Sequence, residues 1–258
     1  MDTSLKLTVT EAGAGRPALI LHGGGGPATV APIAAHLAAT HRTITPTHPG
    51  WSGTERPDWL TGIDDLARVY GDYLADHDLR DVLVVGSSLG GWIGAEMAGR
   101  DAEGRIGALV LVDATGIDVP GEPIVDFFAL DARGVAEHSY YDADRFYVDP
   151  ATVPPAQSAE RRANMATMRA VAGDPYMHDP TLRQRLARVT VPTLAVWGDS
   201  DRIVTPDYGR AFAASFPHGR FALVPQAGHL PHIERPEATF ALLDAFVTEV
   251  AAARRVGS

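Results

Sequence analysis

The chain has no cysteine, which excludes a disulfide framework and any thiolate metal site and fits a reducing compartment. It is also poor in positive charge, with 22 Lys and Arg against 32 Asp and Glu and a formal net charge of -10. Nucleic-acid binders concentrate Lys and Arg on one face, so neither a polyanion nor an anionic membrane is an expected partner. No window approaches the roughly 18 apolar residues of a membrane span. The opening stretch "MDTSLKLTVTEAG" lacks the basic n-region and apolar core of a secretory signal. It alternates Leu5, Leu7 and Val9 with polar residues and reads as a strand. A cytoplasmic protein is the expectation.

What is present is an ordinary globular composition, 258 residues of which 45% are hydrophobic and 21% charged, enough for one large core. Short apolar runs alternate with amphipathic ones from residue 17 onward, the pattern of a parallel sheet with crossover helices. "PALILH", "DVLVVG", "IGALVLVDATG", "VPTLAVWGDSD" and "GRFALVPQAGH" read as buried strands, and "RTITPTHPGWSG" as a short one running into a Pro/Gly loop. Ile63, Leu66, Ala67, Tyr70 and Leu74 recur at helical spacing. A closing amphipathic helix begins at Pro236, where proline's fixed φ suits a first turn, and ends in a tail expected to fray. Residues 117–186 lack strand rhythm, are dense in aromatics and include the helical pattern "RRANMATMRAVA". This segment reads as an insert, leaving 1–116 and 187–258 as the core.

The stretch "VVGSSLGG" carries two serines. Ser88 has glycine two positions away on either side, whereas Ser87 has Val85 and Leu89, so only Ser88 has the flanks for a sharp strand-to-helix turn. A serine hydroxyl is a weak nucleophile until a base takes its proton. Later strand ends supply the partners: an acid in "WGDSDRIVTP" and His229 in "PQAGHLPHIERPE". His232, three residues beyond His229, has neither cysteine nor a suitably spaced carboxylate nearby and reads as structural rather than as a zinc ligand. His36, His41 and His77 read as surface or loop residues.

Taken together, "LHGGGG", "HPGWSGTERP", "GSSLGG", "WGDSDRIVTP" and "AGHLPHIERPE", in order and at strand ends, make the sequence resemble the α/β-hydrolase superfamily over nearly its whole length. The resemblance implies a mostly parallel central sheet flanked by helices, with residues 117–186 as a mainly helical cap. It also implies Ser88 as nucleophile, His229 as general base and Asp201 as the orienting acid, with Asp199 and Asp113 as alternatives for the acid. The backbone N–H groups of Gly24 and Leu89 are the implied oxyanion donors, and the ring of His22 has a structural role. Trp51, Trp92, Phe127, Phe128 and Tyr140 are candidates to line an apolar pocket.

The expected chemistry is acyl transfer from a small ester, lactone or thioester to water, with no metal or organic cofactor. Relatives with haloalkane dehalogenase or epoxide hydrolase activity use Asp as nucleophile, so a serine at position 88 argues against both. The alternative is carbon-carbon bond hydrolysis of the meta-cleavage type, suggested by "HGGGGP". Such relatives typically have Asn where Ser87 stands and an aromatic residue where Leu230 stands. A slow-turnover ligand sensor of the same fold is a third possibility. The partner expected is a small-molecule substrate, and the assembly a monomer or homodimer.

Overall fold

The computed structural model describes residues 5–257, with side chains through 254. The start of the N-terminal strand expected over residues 1–4 and the side chains of the tail lie outside this description. In chain order the elements are β1 (Thr8–Ala12), β2 (Arg16–Leu21), α1 (Ala31–Leu37), β3 (His41–Thr47), α2 (Ile63–Asp76), β4 (Val82–Ser87), α3 (Leu89–Arg100) and β5 (Ile106–Val112). There follow α4 (Ala132–Ser139), α5 (Ala143–Phe146), α6 (Pro155–Ala172), α7 (Leu182–Leu186), β6 (Thr193–Gly198), α8 (Pro206–Ala213), β7 (Gly219–Val224), α9 (Pro231–Glu234) and α10 (Pro236–Gly257).

The strands form one seven-stranded sheet in the order β1-β3-β2-β4-β5-β6-β7. β1 pairs antiparallel with β3, and the other neighbours are parallel. Parallel strands are covered on both faces, so they are written as unbroken apolar runs. Along β2, Leu19 and Leu21 face one core with Val84, Leu109 and Leu111, where α2, α3 and α8 pack. Ala18 and Ile20 face the opposite core with Val85 and Val110, against Ile33 and Leu37 of α1 and Leu243, Phe246 and Val250 of α10. Ile63, Leu66, Ala67, Tyr70 and Leu74 are all buried on one side of α2. His41 departs from its sequence reading: it opens β3 and is buried, with Nδ1 in a hydrogen bond to Thr40 Oγ1.

The chain winds from β2 to β3 in one direction and from β4 through β7 in the other, so the order reverses between β2 and β4. Open α/β sheets bind ligands outside the carboxyl ends of their strands at such a reversal. The Gly23–Gly26 loop leaves β2 there, and Ser88 follows β4. The long connection from β5 to β6 contains α4 to α7 and contributes no strand to the sheet. It lies across this edge, fastened by two bonds from α6: Asn164 Oδ1 accepts from Ser52 N–H (2.9 Å) and Thr167 Oγ1 donates to Gly50 O (2.9 Å). None of the described helices is long and apolar enough to cross a membrane.

Candidate active site

Ser88 sits at φ 54°, ψ -120° between β4 and α3, a conformation that costs a non-glycine residue roughly 1–3 kcal/mol. Its flanking glycines explain how the turn closes. A Cβ on Gly86 would lie 2.2 Å from Gly90 O, and one on Gly90 would lie 2.1 Å from Leu21 O. Both obstacles are backbone, so neither can swing away. Gly90→Ala is therefore expected to lower stability by at least about 3 kcal/mol, the upper range for overpacking, read as a reduced urea midpoint. A variant within about 0.5 kcal/mol of the parent would contradict the packing described.

Three strand ends converge on Ser88. His229, in the loop after β7, has Nε2 2.9 Å from Ser88 Oγ and Nδ1 2.8 Å from Asp201 Oδ2. The other Asp201 oxygen accepts from Ile203 N–H (2.8 Å) and Val204 N–H (3.2 Å), so the carboxylate is fixed in orientation. Asp199 is exposed and takes the Ser200 hydroxyl instead (2.7 Å). The imidazole loop is held from the β5–β6 connection as well. His229 N–H donates to Ser139 O (2.7 Å), and the buried Glu234 carboxylate collects Gly228 N–H (2.6 Å), Tyr141 N–H (3.0 Å) and Asp142 N–H (3.2 Å). Ser139 bond and Glu234 cluster together tie the end of α4 to the residues on either side of the histidine.

The loop after β2 is shaped by a buried network whose tautomers follow from donor counting. His22 Nε2 accepts from His48 N–H (3.0 Å), so its hydrogen is on Nδ1 and donates to Gly23 O (2.7 Å). His48 Nε2 donates to His22 O (2.8 Å), which leaves Nδ1 to accept the Tyr70 hydroxyl. The two rings stack at 3.6 Å. Both histidines are neutral, and burial holds His22 down at about 4 and His48 well below its ordinary range. Trp51 Nε1 donates to Gly24 O (2.9 Å), pinning the loop from below. Leu89 is the first residue of α3, whose N–H has no intrahelical acceptor, and Gly24 lines the cavity in front of Ser88.

A third neutral histidine, His232, donates from Nε2 to Thr29 O (2.9 Å) and is held at about 4 by burial. These three groups are uncharged in the fold but protonate near 6.5 when unfolded, so the unfolded chain binds more protons below pH 6.5. Stability is expected to fall as the pH drops from about 6.5 towards 4, by about 2 kcal/mol for each of His22 and His232 between pH 7 and 5. Asp113, whose carboxyl burial pushes well above the ordinary range, works in the opposite sense over that interval but is one group against three. Urea midpoints at pH 7 and pH 5 check this, and an unchanged midpoint would contradict the buried neutral assignment.

The cavity over Ser88 has a volume of about 870 Å³ and is lined by Ser88, His229, Gly24 and residues of the connection from β5 to β6. Phe127, Phe128 and Tyr140 line it. Trp51 and Trp92 do not, which corrects their sequence assignment. Trp51 is wholly buried beneath the Gly24 loop, edge-on to His22 and His48. Trp92 packs under Gly116, where an added Cβ would meet its Cγ at 2.5 Å, and borders a separate cavity of about 230 Å³. Sequence reasoning missed Met165, Met168 and Met177, which share the cavity wall. The first two stand at i and i+3 in the α6 pattern, a spacing that marks a face without telling which way it points. Arg161, Arg162 and Arg169 also border the cavity, Arg169 lying 4.3 Å over the Phe128 ring.

Comparison with known proteins adds the family. The sequence profile described as "Alpha/beta hydrolase family" matches residues 18–242. The chain is 29% identical over 245 residues to a 2-hydroxy-6-oxo-6-(2'-aminophenyl)hexa-2,4-dienoic acid hydrolase of Metapseudomonas resinovorans, covering 88% of this chain and 82% of that one. It is 25% identical over 244 residues to Lipase 3 of Moraxella sp. (strain TA144), covering 87% and 75% respectively. Among solved structures, the serine hydrolase CarC involved in carbazole degradation superposes with a TM-score of 0.73 at 25% identity, covering 94% of each chain. With the profile spanning most of its length and the seven-stranded sheet in place, the chain belongs to the alpha/beta hydrolase family.

Proposed function

We propose that this protein is a serine hydrolase that cleaves a small ester-type substrate, a carboxylic ester, lactone or thioester, through an acyl-enzyme. The observation that carries this reading is the unbroken relay Ser88 Oγ, His229 Nε2, His229 Nδ1, Asp201 Oδ2, with contacts of 2.9 and 2.8 Å. His229 takes the hydroxyl proton as Ser88 Oγ attacks the carbonyl carbon, and Asp201 holds the imidazole tautomer and stabilises the imidazolium. The N–H groups of Gly24 and Leu89 receive the oxyanion, worth about 3 kcal/mol for each donor. His229 then hands its proton to the leaving group, and a water activated by the same ring releases the acid. The cycle is complete in protein groups and water.

Residues 117–186 act as the cap in this reading, with Phe127, Phe128, Tyr140 and the three methionines around the acyl chain. Excess negative charge and a cavity of about 870 Å³ over Ser88 favour a small-molecule substrate over a nucleic acid or an anionic membrane. Burst kinetics with p-nitrophenyl butyrate test the assignment. A stoichiometric burst of p-nitrophenol followed by slower turnover is expected, and absence of both turnover and acylation would overturn it.

Carbon-carbon cleavage is the second reading, favoured by the arginines bordering the cavity and by the relative whose name specifies a dienoic acid. Ser87 and Leu230 both line the cavity, at the positions where relatives of that type typically carry Asn and an aromatic residue. A kcat/KM for a 2-hydroxy-6-oxodienoate at least tenfold above that for the butyrate ester would transfer the assignment.

A further inference from the structure

One buried acid next to the relay has no part in the cycle above. Asp113 follows β5 at φ 45° and is fully buried. Its Oδ1 accepts from Gly198 N–H (2.9 Å) at the end of β6. Its Oδ2 has no hydrogen-bond donor among the described residues. What stands opposite is the Asp201 carboxyl, with oxygens of the two acids and a nitrogen of His229 all within 4.8 Å of one another. The remaining charged neighbour is Glu234, from α9, also an acid.

Two acceptors facing each other away from water are both satisfied when a proton lies between them, and burial together with a like charge so near disfavours ionising both. The donors decide which of the pair holds the proton. Three converge on Asp201, two backbone N–H groups and the imidazole, whereas one reaches Asp113. We propose that Asp113 is a positioning residue that stands as a neutral carboxylic acid at neutral pH and donates its proton as a hydrogen bond to Asp201, sharing the charge that faces His229. Burial, and then the Asp201 charge, push the Asp113 carboxyl well above the ordinary range.

The consequence concerns the basicity of the histidine. A carboxylate that accepts an added hydrogen bond stabilises the imidazolium less, so Asp113 weakens the charge that Asp201 turns towards the ring. This rests on the triad reading of Ser88, Asp201 and His229, and two measurements separate the claims. The first is the infrared carbonyl band of a protonated carboxylic acid at pH 8, expected in the wild-type protein and absent from Asp113→Asn. It needs no turnover, so it reports on Asp113 even if no ester is hydrolysed.

The second is the pH profile of kcat/KM. Asp113→Asn keeps a neutral donor, so its acidic limb is expected within about 0.3 pH units of wild type, with a rate loss below about tenfold. Asp113→Ala removes the donor, and its limb is expected to move upward by about half a unit or more, which loss of packing alone would not produce. If Asp113 were ionised, the infrared band would be missing and the Asn variant would lose a negative charge beside the imidazolium, moving the limb downward by about one unit. Either result overturns the proposal.

Discussion

Ser88→Ala is expected to lower kcat/KM for p-nitrophenyl butyrate by at least about a thousandfold, with KM changed by less than about threefold. The hydroxyl contributes only to the chemical step. Its Oγ contacts the imidazole, and most of the cavity wall, including Phe127, Phe128, Tyr140 and Met165, comes from other residues. Removing it leaves the Gly24 and Leu89 amides in place, so residual activity above the uncatalysed rate is part of the prediction. Alanine at this position keeps a Cβ at the same φ of 54°, so the fold should survive with little change in thermal midpoint. A loss below about tenfold would mean that another group attacks.

Asp201→Asn carries the second large effect, about ten-thousandfold in kcat, and the hydrogen-bond pattern says why. One side-chain oxygen must still accept from Ile203 and Val204 N–H. The amide oxygen takes that place, and the NH2 group is turned towards His229 Nδ1. The imidazole must then accept at Nδ1 and carry its hydrogen on Nε2, which faces Ser88 Oγ with a proton instead of a lone pair. The variant is intact but holds the wrong tautomer. A loss of less than about thirtyfold would move the role of the acid elsewhere, with Asp113 the nearest candidate.

The glycines at 86 and 90 announce the turn at Ser88 because their spacing is a local steric requirement, and the acid and histidine announce themselves by following strands. These are short-range signals. Choosing Asp201 over Asp199 needed the family resemblance, and the geometry shows the physical difference: Asp201 is buried against two amides, while Asp199 is exposed. Trp51 and Trp92 lie off the cavity wall, and aromatic content near a site says nothing about side-chain direction. Both turn away from the cavity, one to pin Gly24 O and the other to pack on Gly116.

Long-range pairings were the least legible. His48 and Tyr70 meet across 22 residues, and Glu234 reaches back 93 residues to Tyr141. Asp113 and Asp201 adjoin only because β5 and β6 are sheet neighbours. No spacing in the chain encodes those contacts. They follow from strand order, which is settled by the whole core.

Intact-mass analysis after treatment with a p-nitrophenyl phosphonate tests the central claim most directly, because it asks which atom is the nucleophile. The wild-type protein is expected to gain one adduct, mapped to Ser88 by peptide analysis, and Ser88→Ala none. An adduct on another residue, or labelling that persists undiminished in Ser88→Ala, would contradict the account.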